Sequence, residues 1–260
     1  MQQRRDEALG EDIVLTYQYD GSLDGFYCCV FESVYQKETP EAIEPAGVEQ
    51  YRLMPPKFIE TDSDKAARVR ASIPKKISKE ALELCENVFC SCLGEKELKL
   101  LRFLLRGYQE GGKFLRGGFA DAQLEPLLAA QRHLMGEAHL LKGFVRFADH
   151  DGQLAATITP KNFVLPFIAK HFIVRYRNEN FMIYDKTNSV ALIYENHNAR
   201  MVAAEHIEFP EISEKEAQYQ ALWKHFYKVL SIEGRENPRC RMTHMPKRYW
   251  ENMLEVRDEL

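Results

Sequence analysis

Along the chain, hydrophobic positions recur first with the period of a helix and later with the period of a strand. "DIVLTYQY" (12–19) is apolar and β-branched and predicts a first strand, which "DGS" (20–22) breaks. "LDGFYCCVFESVYQ" follows, with small or apolar residues at Phe26, Cys29, Val30, Ser33 and Val34, a helical recurrence. Pro40, Pro45, Pro55 and Pro56 make 38–57 a loop with at most a short strand. Helices are predicted to dominate 62–110. Ser78 is placed as an N-cap, with Ile77 and Leu82 as a hydrophobic staple. Leu98, Leu101, Leu105 and Tyr108 form one stripe of the last of these helices, and Lys96, Lys99, Arg102 and Arg106 form another that faces solvent. "GGKFLRGG" (111–118) is a flexible interruption that lacks the residue order of a P-loop. A helix with Pro126 near its start then runs to about Lys142.

From residue 143 the period changes to two. "FVRFAD" and "LAATIT" flank "HDGQ", a hairpin signature with Asp151 and Gly152 at the turn. After a short helical stretch, "IVRYR", "FMIYD" and "VALIY" are predicted as three further strands separated by "NEN" and "KTNS". Ser213 and Glu216 make a capping box for a helix whose stripe of Tyr219, Leu222, Trp223, Phe226 and Leu230 is predicted to be buried. "EGRENPRC" (233–240) ends that helix, and "PKRYWENMLEVRDEL" is read as a final one. The fold class is therefore α+β. An antiparallel sheet of about five strands is covered by helices, after a helix-rich N-terminal half. Residues 1–115 and 116–260 are the two halves, either as separate domains or as one continuous domain.

Composition narrows what such a fold can do. A 260-residue chain with 45% hydrophobic and 28% charged residues is an ordinary globular composition. A formal charge of −4 argues against a protein that coats nucleic acid. The charge is uneven, however. Residues 51–80 hold eight Lys and Arg against four Asp and Glu, and residues 228–250 hold six against two. No apolar run is long enough to span a bilayer, so no membrane is expected. The first residues lack the apolar core of a secretory signal, and the final "RDEL" is taken as a chance match to a retention tail. A cytoplasmic location with reduced thiols follows as the expectation. Cys85, Cys90 and Cys92 fit no familiar metal spacing, and Leu82, Cys85, Phe89 and Cys92 share a helical face, which predicts buried apolar thiols. No cofactor or metal is expected.

Three clusters carry candidate chemistry. In "HLMGEAHLLKGFVRF", His133 and Glu137 are one turn apart, and His139, Lys142 and Arg146 follow at a helix-to-strand junction. Glu137 and His139 are the candidate catalytic acid–base pair, with Arg146 on a phosphate. In "YDGSLDGF", Asp20 and Ser22 are placed to cap the following helix, with Asp20 or Asp24 at a site as the sharper alternative. The C-terminal region presents Arg239, Arg241, His244, Lys247 and Arg248 around Tyr249 and Trp250. Cations hold phosphates and aromatic faces stack on bases, but Tyr249, Trp250, Met253 and Val256 also suit docking on a core. The expectation is aromatics inward and cations outward, gathered with Arg146 and Arg175 into one electropositive concavity for nucleic acid or a partner.

Four stretches taken together resemble a bacterial family catalogued as "probable DNA metabolism protein", with a domain of unknown function. They are "YDGSLDGF", "EAHLLKGFVRF", "HFIVRYRNENFMIYDKTNSVALIY" and "NPRCRMTHMPKRYWENMLE". The resemblance implies an accessory role in DNA metabolism or repair beside a radical-SAM iron–sulfur protein. A uracil-DNA-glycosylase-like protein is the other partner it implies. The chain carries neither the CxxxCxxC cluster motif nor a glycosylase motif, so that chemistry would belong to the partner. Two rivals stand beside this expectation: an enzyme acting on a nucleotide or damaged base through Glu137, His139 and Arg146, and a pure protein–protein adaptor.

Overall fold

The computed structural model describes residues 15–47, 55–150, 152–230 and 237–259. The chain divides into two compact units. The first comprises Met1–Phe89 with Leu93–Gln131, and the second Cys90–Cys92 with Arg132–Leu260.

In the first unit, β1 (Thr16–Tyr19) lies between β2 (Ala42–Pro45) and β3 (Lys57–Phe58), parallel to both. Helix α1 (Leu23–Gln36) connects β1 to β2, and Ser22 Oγ caps it by accepting from Gly25 N at 2.9 Å. The carboxylate of Asp20 fixes this cap, accepting from Ser22 N and Oγ at 2.9 and 2.7 Å and from Thr61 Oγ1 at 2.8 Å. A Cβ at position 25 would lie 2.2 Å from Asp20 Oδ1, so only glycine fits there. Burial works against the charged form of Asp20, but these hydrogen bonds outweigh it and hold the carboxyl below its ordinary range. Asp20 thus serves the cap, as its position suggested.

Helices α2 (Ser63–Lys76), α3 (Lys79–Phe89) and α4 (Lys96–Glu110) complete the unit. Asp62 caps α2, Ser78 Oγ accepts from Ala81 N at the start of α3, and Pro74 falls in the last turn of α2. Their buried faces, including Ile73, Cys85, Leu101 and Phe103, join Tyr17, Tyr19 and Phe26 in one core. Of the basic stripe on α4, Lys99 pairs with Glu95, Arg106 with Glu110 and Asp121, and Lys96 Nζ donates to the Phe89 carbonyl. The glycine-rich stretch forms 3-10 turns over Gly111–Ala120 rather than a loose interruption. Cys28, Cys29 and Cys85 are buried, and burial pushes the thiols of Cys29 and Cys85 up to about 12. Cys92 is exposed, contrary to the helical-face expectation, because α3 stops at Phe89.

Helix α5 (Glu125–Phe144) crosses from the first stretch of sequence into the second. The second unit is built on a five-stranded sheet in the order β4 (Ala148–His150), β5 (Gln153–Ile158), β6 (Phe181–Asp185), β7 (Val190–Glu195) and β8 (Asn198–Ala203). Three ladders are antiparallel and the β5–β6 ladder is parallel. The parallel pair requires a crossover, and α6 (Leu165–Arg175) supplies it. The predicted strand "IVRYR" is instead the end of α6 and the turn after it. Leu165, Ile168 and Phe172 share a buried helical face, and the helix runs on to the exposed Arg175. The fifth strand is β8, an exposed edge that the apolar pattern did not reveal. It is joined to β7 by Asn196 and His197, both at positive φ, as a type I′ turn requires. Asp151 lies outside the described residues; Gly152 beside it has φ +86°.

Helix α7 (Glu214–Leu230) opens at Ser213, whose hydroxyl accepts from Glu216 N. Its apolar stripe is not buried. Leu222 is 63% and Phe226 54% exposed, because the helix rests on the unit along its Trp223–Lys224–Tyr227 edge. The predicted break at 233–236 lies outside the described residues. After α8 (Pro238–His244), capped by Asn237, the final segment forms 3-10 turns at Lys247–Asn252 and Arg257–Glu259 rather than the predicted α-helix. No helix among the described residues is long and apolar enough to cross a membrane.

Candidate functional site

The polar residues of the second unit collect around Glu137, on the buried face of α5 between Leu134, Ala138 and Leu141. Its carboxylate is 2% exposed and surrounded by donors. Oε2 accepts from Asn162 N at 2.8 Å and from Asn162 Nδ2 at 2.5 Å, and both oxygens accept from Lys161 N at 3.1 Å. Oε1 also accepts from Tyr249 OH at 2.9 Å and pairs with Arg248 Nη2 at 3.1 Å. Burial alone would raise its pKa, but the donors outweigh burial and hold it below the usual carboxylate range.

Asn162 extends the network. Its Nδ2 lies 3.0 Å from His133 Nδ1, and its Oδ1 accepts from Cys92 N at 2.9 Å. Its carbonyl accepts from Asn188 Nδ2 at 3.5 Å, and Asn188 Nδ2 also donates to Asp185 Oδ2 at 2.7 Å. Asp185 is fully buried and shapes the β6–β7 turn, accepting from Thr187 N and Asn188 N. With every lone pair engaged, Glu137 is built as a clamp rather than as a base. His139, two residues further along α5, is exposed, and Arg146 is held elsewhere. The structure therefore does not bring Glu137, His139 and Arg146 together.

Burial raises the pKa of Asp185 from 3.8 to about 6, with the charge of Glu137 adding to it and the turn hydrogen bonds opposing it. A folded pKa above the unfolded one favours the protonated acid in the folded state. That contribution is full below pH 3.8 and lost as pH rises to about 6. The Asp185→Asn variant cannot titrate. Its stability relative to the wild type is expected to improve between about pH 4 and pH 6, by up to about 3 kcal/mol. Urea unfolding at a series of pH values checks this, and a difference that stays constant with pH would contradict it.

The aromatic pair at the tail turns inward, as expected. Tyr249 and Trp250 are each 2% exposed, and Trp250 Nε1 donates to the Met245 carbonyl at 2.8 Å. Cations cover the rings: Arg241 lies 4.9 Å and Lys247 5.3 Å from the Trp250 centroid, and Arg248 lies 4.6 Å from that of Tyr249 and donates to its hydroxyl. Neither ring offers a free face to a base. Arg239 is exposed on α8.

A separate cleft of about 750 Å³ opens between the end of α5, α6, α7 and the residues after Trp250. Arg146 and Arg175 both line it, whereas Arg239, Arg241, Lys247 and Arg248 do not, so folding divides the predicted concavity in two. Arg146 grips Glu255 with Nε at 3.2 Å and Nη2 at 2.5 Å, and its Nη1 donates to the Gly143 carbonyl. Glu255 is buried and its pKa is lowered: burial opposes this, but Arg146 and Trp223 Nε1 prevail. Arg146 is thus neutralised in place. Lys142 and Arg175 have no carboxylate within ion-pair distance among the described residues, and both are exposed. Burial, and then the charges of these two residues, push the His171 pKa down. Tyr176, Tyr219 and Trp223 supply aromatic walls.

Asn162 and Asn188 were not singled out by sequence reasoning. Their turns carry only generic signals, and their roles come from contacts far away in the chain. Tyr219 and Trp223 were assigned to the core, although they line the cleft. Among the described residues, no three His, Cys, Asp or Glu side chains are grouped to hold a metal ion. Compared with known proteins, the chain matches no curated protein. A family model does match, over residues 94–255, which takes in α4, the glycine-rich turns and nearly all of the second unit. The chain belongs to that family, DUF4130, described as a domain of unknown function.

Proposed function

We propose that this protein is a cytoplasmic accessory factor in DNA metabolism or repair. It works beside a radical-SAM iron–sulfur protein or a uracil-DNA-glycosylase-like protein, and it holds DNA in the cleft of its second unit. One observation carries the reading: among the described residues Lys142 and Arg175 have no carboxylate within ion-pair distance, and they share the cleft with Tyr176, Tyr219 and Trp223, Glu216 and Glu251 lying on the same lining. Unpaired cations gain most from phosphates, and exposed rings stack on unpaired bases without regard to sequence. The formal charge of −4 gives no general attraction to DNA, so binding has to rely on local groups of cations such as this one.

Fluorescence anisotropy with labelled single- and double-stranded oligonucleotides tests the reading. Affinity for single strands is expected to fall as salt rises from about 50 to about 200 mM, with a log–log slope that drops by about 1.4 in a Lys142→Glu/Arg175→Glu variant. Binding that is absent, or insensitive to both salt and these substitutions, would refute DNA contact at the cleft. A second reading, the adaptor without DNA contact, is favoured by the exposed face of α7. Tyr219, Leu222, Phe226 and Val229 recur there at helical spacing and are solvent-accessible. Retention of the radical-SAM or glycosylase-like partner by the wild type, and its loss with Leu222→Glu/Phe226→Glu, supports that reading when DNA binding is absent.

A further inference from the structure

We propose that the first unit carries a binding cleft for a nucleoside phosphate. The cleft encloses about 780 Å³ between α1, α2 and α4, within the range of about 300–1,000 Å³ usual for small-molecule sites. It rests on observations independent of the second-unit cleft, and most of its lining precedes the stretch matched by the family.

The charge around it is one-sided. Arg68, Ser72 and Lys75 follow one another on one face of α2, with Lys76 next to them, and Lys37 stands just past the end of α1. These four cations are exposed, and among the described residues no carboxylate lies within ion-pair distance of any of them. The carboxylate on the lining is Glu38, which is engaged at Oε2 by Lys57 Nζ at 2.8 Å and Tyr17 OH at 2.7 Å. The negative end of α2 offsets only about half a charge. The remaining positive charge calls for an anion with more than one negative group.

Aromatic rings set the second requirement. Tyr35 is 59% exposed, stacks on Phe31 at 4.1 Å, and has its hydroxyl held by Arg68 Nη2 at 2.8 Å. The guanidinium of Arg68 lies 5.3 Å from the Phe31 centroid and 5.8 Å from that of Tyr35. Tyr108 is fixed across the cleft by its 2.7 Å hydrogen bond with Ser72 Oγ. Inorganic phosphate would leave these rings unused, and a free base would leave the cations unused. A nucleoside phosphate engages both, its base on a tyrosine face and its phosphates among Lys37, Lys75 and Lys76.

Isothermal titration of the full-length protein with the common nucleoside diphosphates, with adenosine, with pyrophosphate and with a single-stranded oligonucleotide tests this. At least one diphosphate is expected to bind about tenfold or more tightly than adenosine or pyrophosphate, and to lose about tenfold or more in Lys75→Glu/Lys76→Glu. Tyr35→Ala is expected to weaken the diphosphate but not pyrophosphate, and Lys142→Glu/Arg175→Glu to leave it unchanged. These substitutions are on the surface, and circular dichroism melts confirm that each variant is folded. The proposal is overturned if no diphosphate binds at millimolar concentration, if Lys75→Glu/Lys76→Glu binds it as tightly as the wild type, if pyrophosphate binds equally well, or if the oligonucleotide binds this cleft more tightly than any nucleotide.

Discussion

Replacing Glu137 by leucine is expected to destabilise the second unit by roughly 3–5 kcal/mol, the cost of leaving one side of a buried charged network without its partner. Leucine fills a similar volume among Leu134, Ala138 and Leu141, so packing is largely kept and the loss is polar. Five groups would lose their acceptor: Lys161 N, Asn162 N, Asn162 Nδ2, Tyr249 OH and the guanidinium of Arg248. Each unsatisfied buried donor costs about 1–3 kcal/mol. Glutamine keeps one acceptor oxygen but presents N–H to donors, so it should lie between leucine and the wild type. The two tryptophans, Trp223 and Trp250, both belong to the second unit, so urea unfolding followed by their fluorescence reports on that unit alone. The pH dependence separates this effect from a packing defect. The folded pKa of Glu137 is depressed, so its contribution is present above the unfolded value and disappears as pH falls through the folded one. The gap between wild type and Glu137→Leu should therefore narrow in acid. A gap that is the same at every pH would show that the carboxylate's charge does not matter.

Truncating Trp250 to alanine should cost about 3–5 kcal/mol, the range for a buried large aromatic side chain. The indole fills the core beside Tyr249, Met253 and Val256, and its Nε1 donor holds Met245. Removing it leaves Arg241 and Lys247 over a void and loosens the segment that carries Asn252 to Thr159 and Glu255 to Arg146. Arg146 would then regain an uncompensated charge. The signature is a fall in stability together with a stronger dependence on salt concentration. Tyr249→Phe, which keeps the ring and removes only the hydroxyl, should lose about 1–3 kcal/mol. If Trp250→Ala proved as stable as the wild type, the tail would not be docked as described.

Local chemistry was read well from the sequence. The Asp20–Ser22 turn, the Ser78 cap, the β4–β5 hairpin and the inward tail aromatics depend on residues close together in the chain. The α+β class follows from the change of period near residue 143. Readings that needed distant partners fared worse. "IVRYR" is β-branched enough for a strand, yet the helix with the buried face of Leu165, Ile168 and Phe172 extends into it as far as Arg175. Periodicity on α7 marks an apolar face but does not say whether the protein's own core covers it. The tail spacing suited an α-helix, while the contacts of Tyr249 and Trp250 draw the backbone into 3-10 turns. The candidate site was legible in part. Glu137 and Arg248 were named, but their union through Asn162 and Tyr249 spans more than a hundred residues and leaves no local pattern. Arg146 was named as a phosphate ligand. Glu255, which neutralises it, sits 109 positions away.

The most direct measurement of the central claim is photocrosslinking of a single-stranded oligonucleotide carrying 5-iodouracil, with the adducts located by mass spectrometry. The account predicts adducts at Tyr176, Tyr219 or Trp223, lost at high salt and in Lys142→Glu/Arg175→Glu. Adducts confined to Tyr35 or Tyr108, or no adduct from an oligonucleotide that demonstrably binds, would contradict it.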